Sequence, residues 1–347
     1  MVDQATAGGS PAVPLRLSVL DLAPVWSGVS PADSLHSSVE LARAAERWGF
    51  TRYWFAEHHN MKVIFSSSPA VLAGYIAANT ERIRVGAGGV MLPNHSPLVV
   101  AEQFGTLATI YPGRIDLGLG RAPGTTPETV LALRRDPAAA QHFPADVREL
   151  QLYLGDPQPG QRVLAVPGAS THVPLYILGS SMFGAQLAAA YGLPYAFASH
   201  FAPAELLAAV GHYRRAFQPS EQLDAPYVIA GFNVFAADSE QAAAGLFRQS
   251  LVRFARSIGE RVPGLPELDD EGLLASPVGR QAQAMLSRTA IGTAEQVRAQ
   301  TLAFADEAMA DELIVAMNVA DPAARLRSYE LLAGAFAAEL NSAQTVS

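Results

Sequence analysis

Residues 83–119, IRVGAGGVMLPNHSPLVVAEQFGTLATIYPGRIDLGL, carry one complete strand–helix–strand step. The strand-like run 83–92 is followed by Ser96-Pro97, an N-cap serine ahead of a proline at the first helical position, where a missing N–H costs nothing. The helix so opened ends at Pro112-Gly113, and residues 115–119 read as the next strand. Parallel neighbours need a crossover of this kind.

The same alternation extends in both directions. Upstream, the apolar run 15–24 precedes a helical spacing from Pro31 and Asp33 through Leu35, Val39 and Ala42 to Trp48-Gly49. A short aromatic-rich strand, 52–59, then leads through Ser66-Ser67-Ser68-Pro69 into an apolar helix ending near Thr80. Downstream, a Pro/Gly-rich loop at 121–127 and irregular helical material to about Leu154 come before strands at 173–178, 194–199, 226–236 and 312–317. Helical stretches at 184–191, 203–217 and 240–258, and one opened by Asp321-Pro322, separate or follow these strands.

Eight strands alternating with helices predict an α/β protein, a TIM-type (β/α)8 barrel, because closure leaves no exposed sheet edge; an open doubly wound sheet is the alternative. Residues 259–290, with Pro263, Pro266, Asp269-Asp270 and Pro277, predict an irregular insertion before the eighth strand, either an active-site lid or a surface insertion. The domain reading is a flexible tail at 1–14, one barrel at 15–341 and a C-terminal tail at 342–347.

Composition narrows the function. A length of 347 residues suits one barrel, and with half the residues apolar and 16% charged the chain can bury a large core. The net charge of -8, without a Lys/Arg cluster, argues against nucleic-acid or anionic-membrane partners. The absence of cysteine excludes disulfides, thiolate metal sites and cysteine nucleophiles, so any redox chemistry must come from a cofactor. Residues 1–14 lack the basic start and apolar stretch of a signal peptide, and no run of about 18 apolar residues occurs, so a cytoplasmic location is expected.

In a barrel the functional side chains belong at the C-terminal ends of the strands. The second strand ends in Glu57-His58-His59, where alternation sends neighbouring side chains to opposite faces, so that one histidine faces a site while the other packs or is solvated. Adjacent strand histidines point apart and make a poor metal pair, and the Gly-x-Ser-x-Gly elbow of a hydrolase is missing. Gly88-Gly89 in the third strand gives up packing, which suits either a bulge or the close approach of a flat ligand or another backbone. Gly179-Ser180-Ser181 precedes a helix, so free N–H groups and hydroxyls can meet an anion there or simply cap the helix; Arg121 adds a charge if it faces the same mouth.

Several segments then match in order and spacing: Trp48-Gly49-Phe50 with WFAEHH at 54–59, VGAGGVMLP at 85–93 with Pro97 and Ala101-Glu102, and Gly113-Arg114-Ile115 leading to Gly118 and Arg121. Gly192-Leu193-Pro194 and IGTAE at 291–295 continue the series. The chain resembles the bacterial-luciferase-like flavin monooxygenases from about Leu15 to Leu340. The resemblance implies a TIM barrel with FMN at the C-terminal mouth: the flavin ring against Gly88 and Gly89, often joined in the family by a cis peptide, and the phosphate at Arg121, Gly179, Ser180 and Ser181. His58 would be the catalytic histidine beside the reactive edge, and His200 a pocket wall. His200 and Gly120 stand where the light-emitting subunit has tryptophan and cysteine, so light emission is not expected. The mobile active-site loop of the luciferase subunit falls at 259–290, which favours a lid there.

The implied reaction is that of a reduced-flavin monooxygenase: a flavin C4a-peroxide formed with O2 inserts one oxygen into an organic substrate. No nicotinamide fingerprint is present, so a separate flavin reductase is expected to supply reduced FMN. A homodimer is also implied. Alternatives are an FMN- or F420-dependent oxidoreductase on the same barrel and a non-catalytic flavin-binding protein.

Overall fold

In the computed structural model, which describes residues 15–25, 28–122 and 126–343, parallel strands close into a ring. The proposed tail at 1–14, residues 123–125 of the loop after the fourth strand, and 344–347 lie outside the described residues. The first half runs β1 (Arg16–Asp21), α1 (Pro31–Trp48), β2 (Arg52–Phe55), α2 (Pro69–Ala77), β3 (Arg84–Met91), α3 (Pro97–Ile110), β4 (Ile115–Gly120), α4 (Pro127–Ala132) and α5 (Phe143–Leu154). The second half adds β5 (Leu175–Gly179), α6 (Met182–Tyr191), β6 (Tyr195–Phe197), α7 (Leu206–Ala216), β7 (Val228–Ala236) and α8 (Glu240–Gly259). After these come α9 (Asp270–Ala275), α10 (Pro277–Met285), β8 (Thr289–Gly292), α11 (Ala294–Glu307), β9 (Glu312–Ala316), α12 (Pro322–Ala335) and α13 (Ala337–Ala343).

β1 through β7 pair in sequence, and β9 bridges β7 to β1, closing an eight-stranded parallel ring. β8 lies outside that ring, paired among the described residues with the upper half of β7 alone. Local chemistry sets the helix ends. Ser30 caps α1 by accepting from Asp33 N at 3.1 Å, Pro31 opens the helix, and Gly49 closes it in the left-handed region at φ +89°. No helix among the described residues is long and apolar enough to cross a membrane.

The segment read as an irregular insertion is ordered. Asp269 caps α9 through Gly272 N and Ser276 caps α10 through Gly279 N, with Pro277 at a first-turn position, so the supposed breakers punctuate two short helices. Leu273, Val278 and Ala282 of these helices pack on Leu251, Val252 and Ala255 of α8 in a satellite core. The crossover returning to the eighth ring strand is α11, so the helix at 240–258 belongs to the extra layer. Arg253 on α8 donates to Val25 O and Val63 O, tying that layer to the loops after β1 and β2.

Alternation along the strands stacks the barrel interior in layers. At the floor, Arg52 donates to Glu312 through Nε at 2.8 Å and Nη2 at 3.0 Å, and to Asp116 at 2.8 Å; Arg84 also reaches Asp116, at 2.5 Å. Tyr176, Tyr227, Ser18 and the Trp54 indole complete the hydrogen bonds of this charge-balanced layer. Above it lie Leu20, Trp54, Ile229 and Ile314. Toward the C-terminal end the inward positions become small, among them Ala56, Gly88, Gly231 and Ala316, so the barrel ends in a cup.

Candidate active site

The cup rim at β2 and β3 is held by one buried carboxylate. Glu57 Oε1 meets His59 Nε2 at 2.7 Å and His95 Nε2 at 2.8 Å, while Oε2 accepts from Met91 N at 2.9 Å. Burial alone would raise the Glu57 carboxyl, but the bonds from His59 and His95, the charge on His95 and the Met91 N–H outweigh it and hold it below the usual carboxylate range. His95 follows the turn after β3 and was missed in the sequence; the only signal was its place at a strand's C-terminal end.

Glu57, His59 and His95 bring three ligand atoms within 4.8 Å of one another. Ligands sharing a tetrahedral ion at about 2.1 Å stand roughly 3.4 Å apart. The observed 2.7 and 2.8 Å are hydrogen-bond distances, so the cluster is a hydrogen-bonded brace.

With His59 turned to Glu57, the neighbouring His58 is the histidine whose charge acts on His200, beyond β6. His58 is half-buried, and its own N–H donates to Ser66 O at 3.0 Å, which holds the loop after β2. Burial lowers the pKa of His200 and the charge of His58 lowers it further, to about 4. An unfolded histidine titrates near about 6.5, so the unfolded chain takes up the proton first; this contribution to stability is complete above about 6.5 and drains away as pH falls toward 4. Because the ring is half-buried and partly solvated, wild type is expected to lose on the order of 2 kcal/mol more than His200→Gln between about pH 7 and 4.5. Urea denaturation at both pH values measures the difference; equal losses in the two proteins would place His200 in water.

At the next edge of the mouth, the Arg121 guanidinium stacks 4.0 Å over the Phe183 ring in the first turn of α6. Ser181 is the N-cap residue of α6, yet its hydroxyl makes no capping bond, so capping does not consume it. Arg121, Gly179, Ser180 and Ser181 are thus drawn to one helix start. Glu205 was not foreseen there: its carboxylate accepts from Met182 N at 2.9 Å.

The Gly88–Gly89 peptide is cis, and the register of β3 on β4 shifts between Ala87 and Val90. A Cβ on Gly88 would stand 2.8 Å from Trp54 Cε3, and one on Gly89 2.7 Å from Gly118 O. Close packing and an irregular register therefore account for both glycines by themselves, while Gly88 remains half-buried at the cup. A groove of about 610 Å³ bounded by Arg148, His172, Tyr191 and Gln222 lies away from this mouth, between the end of α5 and the entry to β5. The N-terminal face of a barrel serves stability more than chemistry.

The closed barrel and its histidine-rimmed mouth have a family. The chain belongs to the luciferase-like monooxygenases, a family of oxidoreductases, whose profile matches residues 15–312. A luciferase-like monooxygenase of Escherichia coli strain K12 is 46% identical over 322 residues, covering 91% of this chain and 96% of its own. The Bacillus subtilis strain 168 protein YvbT is 46% identical over 321 residues, with 91% and 95% covered. Among solved structures, apo-MsnO8 superposes with a TM-score of 0.84 at 37% identity, covering 93% of this chain and 98% of its own.

Proposed function

We propose that the protein is an FMN-dependent monooxygenase that takes reduced flavin from a separate reductase and inserts one oxygen of O2 into a small organic substrate. The observation that carries this reading is the mouth itself: a cup of small residues, with Arg121 and an uncapped Ser181 at one edge and His58 and His200 at others. A flat ring with a phosphate tail fits that donor set, Arg121, Ser180 and Ser181 holding the phosphate and Gly88 and Gly89 flanking the ring. Bound reduced flavin supplies the activation of O2; the chain supplies orientation, exclusion of water and proton handling. His58 holds or moves a proton at its imidazole, the Glu57 brace fixes the backbone on which it sits, and the layer of α8 to α10 serves as a cover over the mouth.

Anaerobic titration with photoreduced FMN, followed by exposure to labelled O2 with a panel of candidate substrates, tests the proposal. Binding of reduced FMN and a product carrying one labelled oxygen are expected, whereas binding of F420 in place of FMN would turn the reading toward a deazaflavin oxidoreductase. NADH mixed with protein and FMN alone should be oxidised no faster than without protein; brisk oxidation would put the reductase in this chain.

The proposal includes a homodimer. α2 and α3 expose Val71, Tyr75, Val99 and Ile110, apolar side chains on two adjacent helices that a second copy could cover. Sedimentation velocity should show a dimer, and Val71→Asp a monomer; a monomeric wild type removes this part.

A further inference from the structure

His200 is held in a way its position after a strand does not explain. Gly231 points inward from β7, and a Cβ there would collide with His200 Nδ1 and stand 3.2 Å from both Cγ and Cε1. The imidazole therefore fills the space that a side chain at 231 would take. Two positions along the same strand, Asn233 Nδ2 donates to His200 O at 2.6 Å, and the Phe201 ring packs edge-on at 4.9 Å. Side chain and backbone of His200 are thus both placed by β7.

The chemistry of the seat selects a tautomer. Nδ1 is enclosed without a hydrogen-bond partner among the described residues, facing the Gly231 methylene. A neutral imidazole carries its proton on one nitrogen and a lone pair on the other. An N–H pressed on a methylene would meet hydrogens, whereas a lone pair there receives a weak Cα–H contact. The proton accordingly sits on Nε2, the nitrogen that is not so enclosed. The depressed pKa keeps the ring in this neutral form.

We propose that Gly231 and Asn233 seat His200 as the Nε2–H tautomer, making it a fixed hydrogen-bond donor to an acceptor atom on the ring ligand in the mouth. Gly231 is then a positioning residue acting through His200, and any larger residue at 231 costs the donor as well as the fit. The donor half rests on the flavin reading above; the seat does not.

A double-substitution cycle on thermal unfolding tests the seat without ligand. Gly231→Ala is expected to lower the midpoint by a few degrees in the wild type and by much less in a His200→Ala background, because the colliding ring is gone. Equal losses in both backgrounds would overturn the seat. Nitrogen-15 chemical shifts of the His200 ring in the unaltered protein should place the proton on Nε2, and a proton on Nδ1 would overturn the tautomer. For the donor, His200→Phe keeps a flat ring and is expected to weaken FMN binding about tenfold, the loss of one hydrogen bond; unchanged affinity would overturn it. A wild type that binds no FMN would remove the donor half together with the flavin reading, and the cycle would still judge the seat.

Discussion

Arg52→Met is expected to lower the unfolding free energy by about 3–5 kcal/mol. The replacement keeps most of the side-chain volume, so the loss comes from charge. Arg52 bonds both Asp116 and Glu312, and all three are buried at the barrel floor. Without it, Glu312 keeps the hydroxyls of Ser18 and Tyr227 but no cation, and Asp116 keeps Arg84. Burial by itself raises the Asp116 carboxyl, and Arg52 and Arg84 together bring it below the usual range, so removing one arginine pushes it back toward protonation. Urea unfolding near neutral pH measures the effect. A loss under about 1 kcal/mol, the size of an exposed pair, would mean that water reaches the floor.

His58→Ala is expected to slow oxygen-dependent turnover of an accepted substrate by about 10²–10⁴-fold, the usual contribution of a placed acid–base group. Affinity for FMN should change little, because the phosphate contacts assigned to Arg121, Ser180 and Ser181 lie at another edge of the mouth. The loss should therefore appear in kcat, with the flavin Kd preserved. Comparable losses in binding and turnover would make His58 a wall of the cofactor pocket. Turnover retained within about threefold would shift the proton-handling role away from His58.

The alternation of strands and helices was legible from punctuation and periodicity, because those signals are local. Pro31 and Gly49 bound α1 where the sequence places its ends, and the glycine is required there by its left-handed φ. The limits of local reading show at 259–290: prolines and a pair of aspartates suggest disorder of pattern, yet Asp269 and Pro277 stand at helix starts. Which role such residues take depends on whether the short helices they open find an apolar partner, and α8 supplies it. Gly88 and Gly89 mark a related ambiguity, since a glycine reports that something is close without naming it; here the neighbours are Trp54 and the backbone of Gly118.

By itself, then, the sequence determined the barrel class, the alternation of its strands and helices, and the family to which its motifs belong. Only the tertiary structure decided that His59 turns to Glu57 and joins His95, that α11 is the true last crossover before β9, and that Gly231 makes room for His200. Helix and strand periods and capping chemistry act between residues a few positions apart, so they are written in the chain. Pairings such as Glu57 with His95, Arg52 with Glu312 and Gly231 with His200 join residues 38, 260 and 31 positions apart; the pairing of neighbouring strands brings the first and third together, and the β1–β9 pairing that closes the ring brings the second.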